Sequence, residues 1–191
     1  MSIIKLADVT ADHNRFPYVC ADTETTGFGP HAEVVEITCI EHDIQGNTGA
    51  MITYLCEPLS GFIPPEASNV NHIYMEDVRG YPPYLTGGVR EDVIGFLGYR
   101  TLVAHNADFD IEMMRIKPKD VYCTLKESRK RDPQRKHKLT ILCRRLGIEW
   151  DETQAHRAEY DVRKTIEVFA HFHGYGKDKE ATLMRIQTEL F

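Results

Sequence analysis

Apolar and polar positions along the chain change period several times, and each change marks an element. F-P-Y-V-C-A-D (16–22), V-V-E-I-T-C-I-E (34–41) and A-M-I-T-Y-L-C-E (50–57) are short runs rich in β-branched and aromatic residues, the composition that suits a pleated sheet. The last two flank H-D-I-Q-G-N-T-G (42–49), a turn-rich stretch suited to a hairpin, so the three runs predict an antiparallel meander. P-L-S-G-F-I-P-P (58–65) is a loop by composition, and P-P-E-A-S-N-V-N-H (64–72) opens a short helix with Pro near its start. After the Y-P-P-Y and G-G breaks, V-R-E-D-V-I-G-F-L-G-Y (89–99) has helical spacing. T-L-V-A-H-N (101–106) is a strand, F-D-I-E-M-M-R-I (109–116) returns to helix, and V-Y-C-T-L (121–125) is another short strand. K-L-T-I-L-C-R-R-L-G (138–147) is a helix closed by Gly147, and A-E-Y-D-V-R-K-T-I-E-V-F-A-H-F (158–172) is the longest amphipathic helix. Three strands followed by alternating helices and strands predict an α/β fold: a mixed sheet with helices on both faces.

Composition narrows this picture. The 191 residues suit one domain with a real core. Hydrophobic residues make up 42% and charged residues 27%, an ordinary soluble balance. No apolar run approaches the length of a membrane span, and M-S-I-I-K-L-A-D-V-T lacks the apolar centre of a secretory signal. The expectation is a cytoplasmic protein with no membrane partner. The five cysteines have no C-x-x-C spacing and lie in or beside apolar stretches, which predicts buried thiols in a reducing compartment and argues against a zinc or disulfide framework. Trp150, after a helix, is expected to pack in the core.

The net charge of −6 argues against binding nucleic acid through overall charge. Its distribution is uneven. Residues 126–138, K-E-S-R-K-R-D-P-Q-R-K-H-K, carry seven Lys or Arg against two acids. Such a run is either a solvated helix-and-turn surface or a rail for a phosphate backbone, which needs only local positive charge.

The acids that end these elements carry the chemistry. Asp22 and Glu24 close the first strand with one residue between them. In extended chain their side chains point the same way, about 7 Å apart, where like charges repel. H-N-A-D-F-D (105–110) follows the fourth strand with Asp108 and Asp110, and H-R-A-E-Y-D (156–161) begins the last helix with His156 and Asp161. Converging on divalent cations would make these acids useful, since hard oxygen ligands suit Mg²⁺ or Mn²⁺ and four carboxylates roughly neutralise two ions. Two such ions can bind the attacking and leaving oxygens of a displacement at phosphorus. A histidine beside them can take a proton from water near neutral pH.

D-T-E-T-T-G, A-H-N-A-D-F-D and H-R-A-E-Y-D, in that order, resemble the three motifs of the DEDDh 3′→5′ exonucleases, among them proofreading epsilon subunits and exodeoxyribonuclease X. The resemblance runs from about residue 16 to 172 and includes P-E-A-S-N-V-N-H-I. It implies a ribonuclease-H-like five-stranded sheet, two divalent cations, and release of nucleoside 5′-monophosphates from the 3′ end of DNA. It also implies Asp22, Glu24, Asp110 and Asp161 as metal ligands and His156 as general base. From chemistry alone Asp108 and Asp110 are equal; the resemblance selects Asp110. Thr25, Thr26, Gly27 and Phe28 would line the 3′-terminal nucleotide, with Phe28 stacking on a base; alternatively T-T-G-F is simply a turn. His72 is a nucleotide contact or a packed helix histidine, and Asn106 a ligand contact or a turn residue.

Two other functions fit part of this pattern. One is a 3′→5′ exoribonuclease of the same superfamily, although D-T-E-T-T-G looks more like the DNA-directed members. The other is a non-catalytic adaptor, against which stand five filled site positions. The last five residues, Q-T-E-L-F, resemble the peptide by which bacterial polymerases and repair proteins bind a sliding clamp, with Gln187 fixing register and Leu190 and Phe191 as apolar anchors. Docking of Leu190 and Phe191 on the chain's own core is the other reading.

Overall fold

Twelve elements build the fold in the computed structural model, which describes residues 14–176. They are β1 (Tyr18–Thr25), β2 (Val34–His42), β3 (Thr48–Leu55), α1 (Pro65–Asn71), α2 (Met75–Val78), α3 (Val89–Leu97), β4 (Thr101–Ala104), α4 (Ala107–Met114), β5 (Val121–Cys123), α5 (Thr124–Arg131), α6 (Leu139–Arg145) and α7 (Ala158–Phe172). The strands form one mixed sheet in the order β3-β2-β1-β4-β5. The meander β1–β2–β3 is antiparallel, whereas β4 and β5 run parallel to β1.

Alternation along the strands assigns residues to two covered faces. Val19 and Ala21 of β1, Ile37 and Cys39 of β2 and Leu102 of β4 meet Val93 and Phe96 of α3 and Met113 and Met114 of α4. Cys20, Ile40 and Val103 meet Val162, Ile166 and Phe169 of α7 on the other face. Because both faces are covered, β2 is buried along its whole length. Its polar residues must therefore find partners inside the protein. All five cysteines are buried thiols.

Local chemistry sets the boundaries. Asp43 accepts the N–H groups of Gln45 and Asn47 at 2.8 and 2.9 Å and closes the β2–β3 hairpin. Pro65 begins α1 as the sequence predicts, and His72 ends it in a left-handed conformation. At the end of α6, Gly147 has φ +69°, its N–H bonds to the Arg144 carbonyl, and the Ile148 N–H reaches back to Cys143 at 2.9 Å. This pair of bonds satisfies the last turn as expected of a C-terminal glycine.

The bounds read for β1 (16–22), β3 (50–57) and α4 (109–116) each move by two or three residues, and two expectations shift further. The strand read over 121–125 stops at Cys123, because the hydroxyl of Thr124 is tied to the His105 ring and the Ala104 carbonyl and the chain turns there into α5. The four-residue α2 has no counterpart in the sequence pattern, being too short to show a period. Trp150 is half-buried; it packs against the cluster of Leu142 and Val168, meets Tyr160 edge-on, and keeps its ring N–H on Glu152.

Candidate active site

The sheet and its flanking helices bring the ends of β1, α4 and α7 to one cleft of about 560 Å³. Asp22, Glu24, Asp110, His156 and Asp161 all line it, with Thr25, Thr26, Gly27, Phe28 and Asn106. On β1, Asp22 and Glu24 face the α7 side beside their cross-strand neighbours Thr38 and Glu36. The β1–β2 register slips immediately after Glu24, and such an irregularity bends the strand and re-aims the side chains beyond it.

Thr23, pointing the opposite way, holds the third carboxylate. Asp110 Oδ1 accepts the Thr23 N–H at 3.2 Å and its hydroxyl at 3.0 Å. Asp110 is 2% exposed. Asp108 is an exposed residue paired with Lys126 at 2.7 Å and does not line the cleft. One aspartate in the first turn of α4 thus faces the sheet and the other faces solvent.

The fourth carboxylate and the histidine come from the start of α7. His156 has φ +62°, so the loop turns sharply before the helix. Ligand atoms of Glu24, His156 and Asp161 lie within 4.8 Å of one another. Asp161 Oδ1 is buried without a hydrogen-bond partner among the described residues. Burial pushes all four carboxylates up, and repulsion from the other site acids adds to the rise of Asp22 and Glu24. Asp22 rises well above the usual range through burial and then the charges of Asp110, Glu24 and Asp161. Glu24 rises to about 9 through burial, then Asp161, Glu36 and Asp110, with Arg157 opposing. Asp161 and Asp110 each rise to about 7, chiefly through burial, with hydrogen bonds from the His156 backbone and from Thr23, respectively, pulling back. Burial, then the proximity of His72, lowers the proton affinity of the His156 ring. An orphaned carboxylate oxygen among crowded, proton-hungry acids is the donor set that a hard divalent cation suits.

Apolar side chains form the other wall: Phe28, Pro64, Val70, Phe109 and Leu139. The Phe28 ring is 90% exposed and tilts against Phe109 at 5.7 Å between centroids. Gly27 has φ +148°, and a Cβ there would meet nothing within 4 Å, so its backbone conformation, and no crowding within the chain, calls for glycine. The hydroxyls of Thr25 and Thr26 turn to the chain itself. Thr25 Oγ1 donates to the Gly27 carbonyl at 2.7 Å, and Thr26 Oγ1 accepts the Glu33 N–H at 2.9 Å. Asn106 is exposed in a left-handed conformation at the start of α4. His72 is exposed and stands outside the cleft lining, although His156 feels its charge. Gln187, Leu190 and Phe191 lie outside the described residues.

Sequence reasoning passed over Asn71, one residue before His72. Its buried carboxamide donates to the Thr25 carbonyl at 3.2 Å and accepts the Ile73 N–H at 3.0 Å, fastening α1 to the loop after β1. It also passed over His105 and Phe109, which stand in the same motif as Asp110 and line the cleft. His105 bonds Thr124 and the His137 carbonyl, each at 2.9 Å, and so ties the cleft to the basic segment.

The profile of the exonuclease family RNase_T matches residues 19–169. The chain belongs to this exonuclease family. It is 28% identical over 174 residues to the DNA polymerase III subunit epsilon of Treponema pallidum, covering 84% of this chain and 78% of that protein. It is 29% identical over 190 residues to the Escherichia coli K12 subunit of the same name, covering 90% and 76%. Among solved structures, exonuclease X in complex with 5′ overhanging duplex DNA superposes with a TM-score of 0.65 at 26% identity, over 82% of this chain and 92% of that one. E. coli exonuclease I in complex with a dT13 oligonucleotide gives a TM-score of 0.71 at 18% identity, over 83% and 41%, a likeness of fold. The mixed five-stranded sheet is the ribonuclease-H-like sheet of these neighbours. Among the described residues, no helix is long and apolar enough to cross a membrane.

Proposed function

We propose that this chain is a metal-dependent 3′→5′ exonuclease of the DEDDh type that acts on DNA and releases nucleoside 5′-monophosphates. The observation that carries this reading is the gathering of Glu24, His156 and Asp161 within 4.8 Å in a cleft that Asp22 and Asp110 also line. The four carboxylates would hold two divalent cations, Mg²⁺ or Mn²⁺. Such ions, when bound, stabilise negative charge on the scissile phosphate and on the attacking and leaving oxygens.

The chain's own residues do the rest. His156, its proton affinity lowered chiefly by burial, accepts a proton from the attacking water at a ring nitrogen while the new oxygen–phosphorus bond forms and the bond to the 3′ oxygen breaks. Thr23 fixes Asp110 through two hydrogen bonds, so this ligand needs no reorganisation. The Phe28–Phe109 wall offers aromatic faces for the terminal bases, a sequence-tolerant contact. The segment 126–138 holds the strand behind the scissile phosphate by its phosphates.

The names of the relatives and the DNA in the exonuclease X structure support a DNA substrate and a role in proofreading, repair or degradation. We read the whole chain as one cytoplasmic exonuclease domain whose terminal Q-T-E-L-F binds a sliding clamp. The test is degradation of matched DNA and RNA oligonucleotides carrying free or blocked 3′ ends. The reading requires DNA with a free 3′ end to be consumed fastest. Faster loss of RNA would move the enzyme to the exoribonucleases of the superfamily.

A further inference from the structure

One buried carboxylate near the cleft does not line it. Glu36 lies on β2 directly across the ladder from Glu24 and is 3% exposed. Its Oε1 accepts Arg157 Nη2 at 2.7 Å. Its Oε2 accepts Arg157 Nε at 3.1 Å and the Ala158 N–H at 3.0 Å. Ala158 is the first residue of α7, where N–H groups have no partner within the helix, and Arg157 gives no side-chain cap. Glu36 supplies that cap from a strand more than a hundred residues earlier.

The same contacts grip the segment that carries the histidine. Arg157 follows His156 directly, and its carbonyl accepts the Asp161 N–H at 3.1 Å. Arg157 is thus held at its side chain by β2 and at its backbone by Asp161. A two-bond fork between guanidinium and carboxylate fixes angle as well as distance. A buried fifth carboxylate beside four others is unfavourable for charge alone, and Glu36 adds to the rise of Glu24 and Asp161. Its placement there, bonded to Arg157 and the Ala158 N–H, points to a positional role.

We propose that Glu36 and Arg157 form a positioning pair that sets His156 and Asp161 against Glu24, so that the β1–β2 ladder holds both halves of the metal-binding site in register. This rests on the exonuclease reading above. Groups that orient ligands from behind typically cost 10–100-fold in metal affinity or activity when removed.

The experiment compares R157A, R157K, E36Q and E36A with wild type by thermal unfolding, Mn²⁺ affinity, and kcat and KM on a single-stranded DNA oligonucleotide. Arg157 is half exposed, so R157A is the variant expected to stay folded. It should lose about 10–100-fold in both kcat and Mn²⁺ affinity, with KM little changed. R157K, which cannot form the fork, should resemble R157A; E36Q, which keeps an acceptor for the Ala158 N–H, should fall between E36A and wild type. Wild-type kcat and Mn²⁺ affinity in a folded R157A would overturn the proposal, as would a loss confined to KM. Should E36A not fold, R157A and R157K decide. Should wild type fail to hydrolyse DNA, the functional reading falls, and the Mn²⁺ affinity of R157A against wild type still decides the positioning role.

Discussion

Asp108 and Asp110 stand two residues apart in the first turn of α4 and in opposite surroundings. Asp110 is buried against β1 on the Thr23 N–H and hydroxyl, whereas Asp108 faces solvent in an ion pair with Lys126. Replacing Asp110 with alanine should therefore abolish metal-dependent hydrolysis. The same change at Asp108 should leave most of it, since an exposed ion pair is worth little. Initial rates of both variants at saturating Mg²⁺ check this; a dead D108A beside an active D110A would reverse the assignment.

Crowded carboxylates make stability depend on pH and on metal. Glu24, raised to about 9, and Asp110 and Asp161, raised to about 7, bind more protons folded than unfolded. Their contribution is full at low pH and is lost as pH rises through these values. His42 and His105 act in the opposite sense: burial lowers both from 6.5 to about 4, so their contribution is full above 6.5 and lost as pH falls towards 4. Between pH 6.5 and 8 the carboxylate effect dominates; the buried cysteines, raised from 9 by burial, add a loss in the same direction only as pH approaches 9. The metal-free protein should lose melting temperature from pH 6.5 to 8, saturating Mg²⁺ or Mn²⁺ should flatten that slope, and Glu24→Gln should raise the metal-free melting temperature at pH 8. Melting curves with EDTA that do not change across this window would remove the cluster's mutual repulsion from the account.

The basic segment divides into tied and untied cations. Lys126, Arg131 and Arg135 are ion-paired with Asp108, Glu127 and Asp132. Arg129 and Lys136 form no ion pair among the described residues, and the Arg129 charge is felt by His105 in the cleft. Neutralising Arg129 and Lys136 should reduce the salt slope of single-strand binding by about 0.7 for each phosphate that the protein no longer neutralises. Affinity titrations at several salt concentrations measure this. An unchanged slope would make the segment a solvated surface.

How much of this was legible in the sequence depends on how far apart the cooperating residues are. Val34 to Glu41 and Ala158 to Phe172 announce β2 and α7 through local period, and the structure keeps those bounds to within one residue. The five candidate residues were legible as motifs because each motif stands at one end of an element that reaches the same cleft. The hydrogen bonds that hold them there were not. Thr23 reaches Asp110 across 87 positions, and Arg157 reaches Glu36 across 121; no periodicity spans such intervals. A signal for Glu36 was nevertheless present. A charged residue inside V-V-E-I-T-C-I-E, in a sheet expected to be covered on both faces, demands an internal partner. The inward turn of the Thr25 and Thr26 hydroxyls had no such signal, because it arises from the loop conformation around Gly27 and Glu33.

His156 is the residue whose removal should separate chemistry from binding. His156→Ala should lower turnover by about 10²–10⁴-fold, the range of a positioned base, while single-strand affinity stays near wild type. Single-turnover rates and affinities of this variant measure the two separately. Near-normal turnover at neutral pH would take His156 out of the mechanism.

The central claim is tested most directly with a 5′-labelled single-stranded DNA oligonucleotide, incubated with the purified protein in Mg²⁺ or in EDTA and with its 3′ end free or blocked. The account predicts a ladder of products shortened stepwise from the free 3′ end, accompanied by nucleoside 5′-monophosphates, and no reaction in EDTA or on the blocked strand. An intact substrate in Mg²⁺, internal cuts, or equal degradation of blocked and free strands would contradict it.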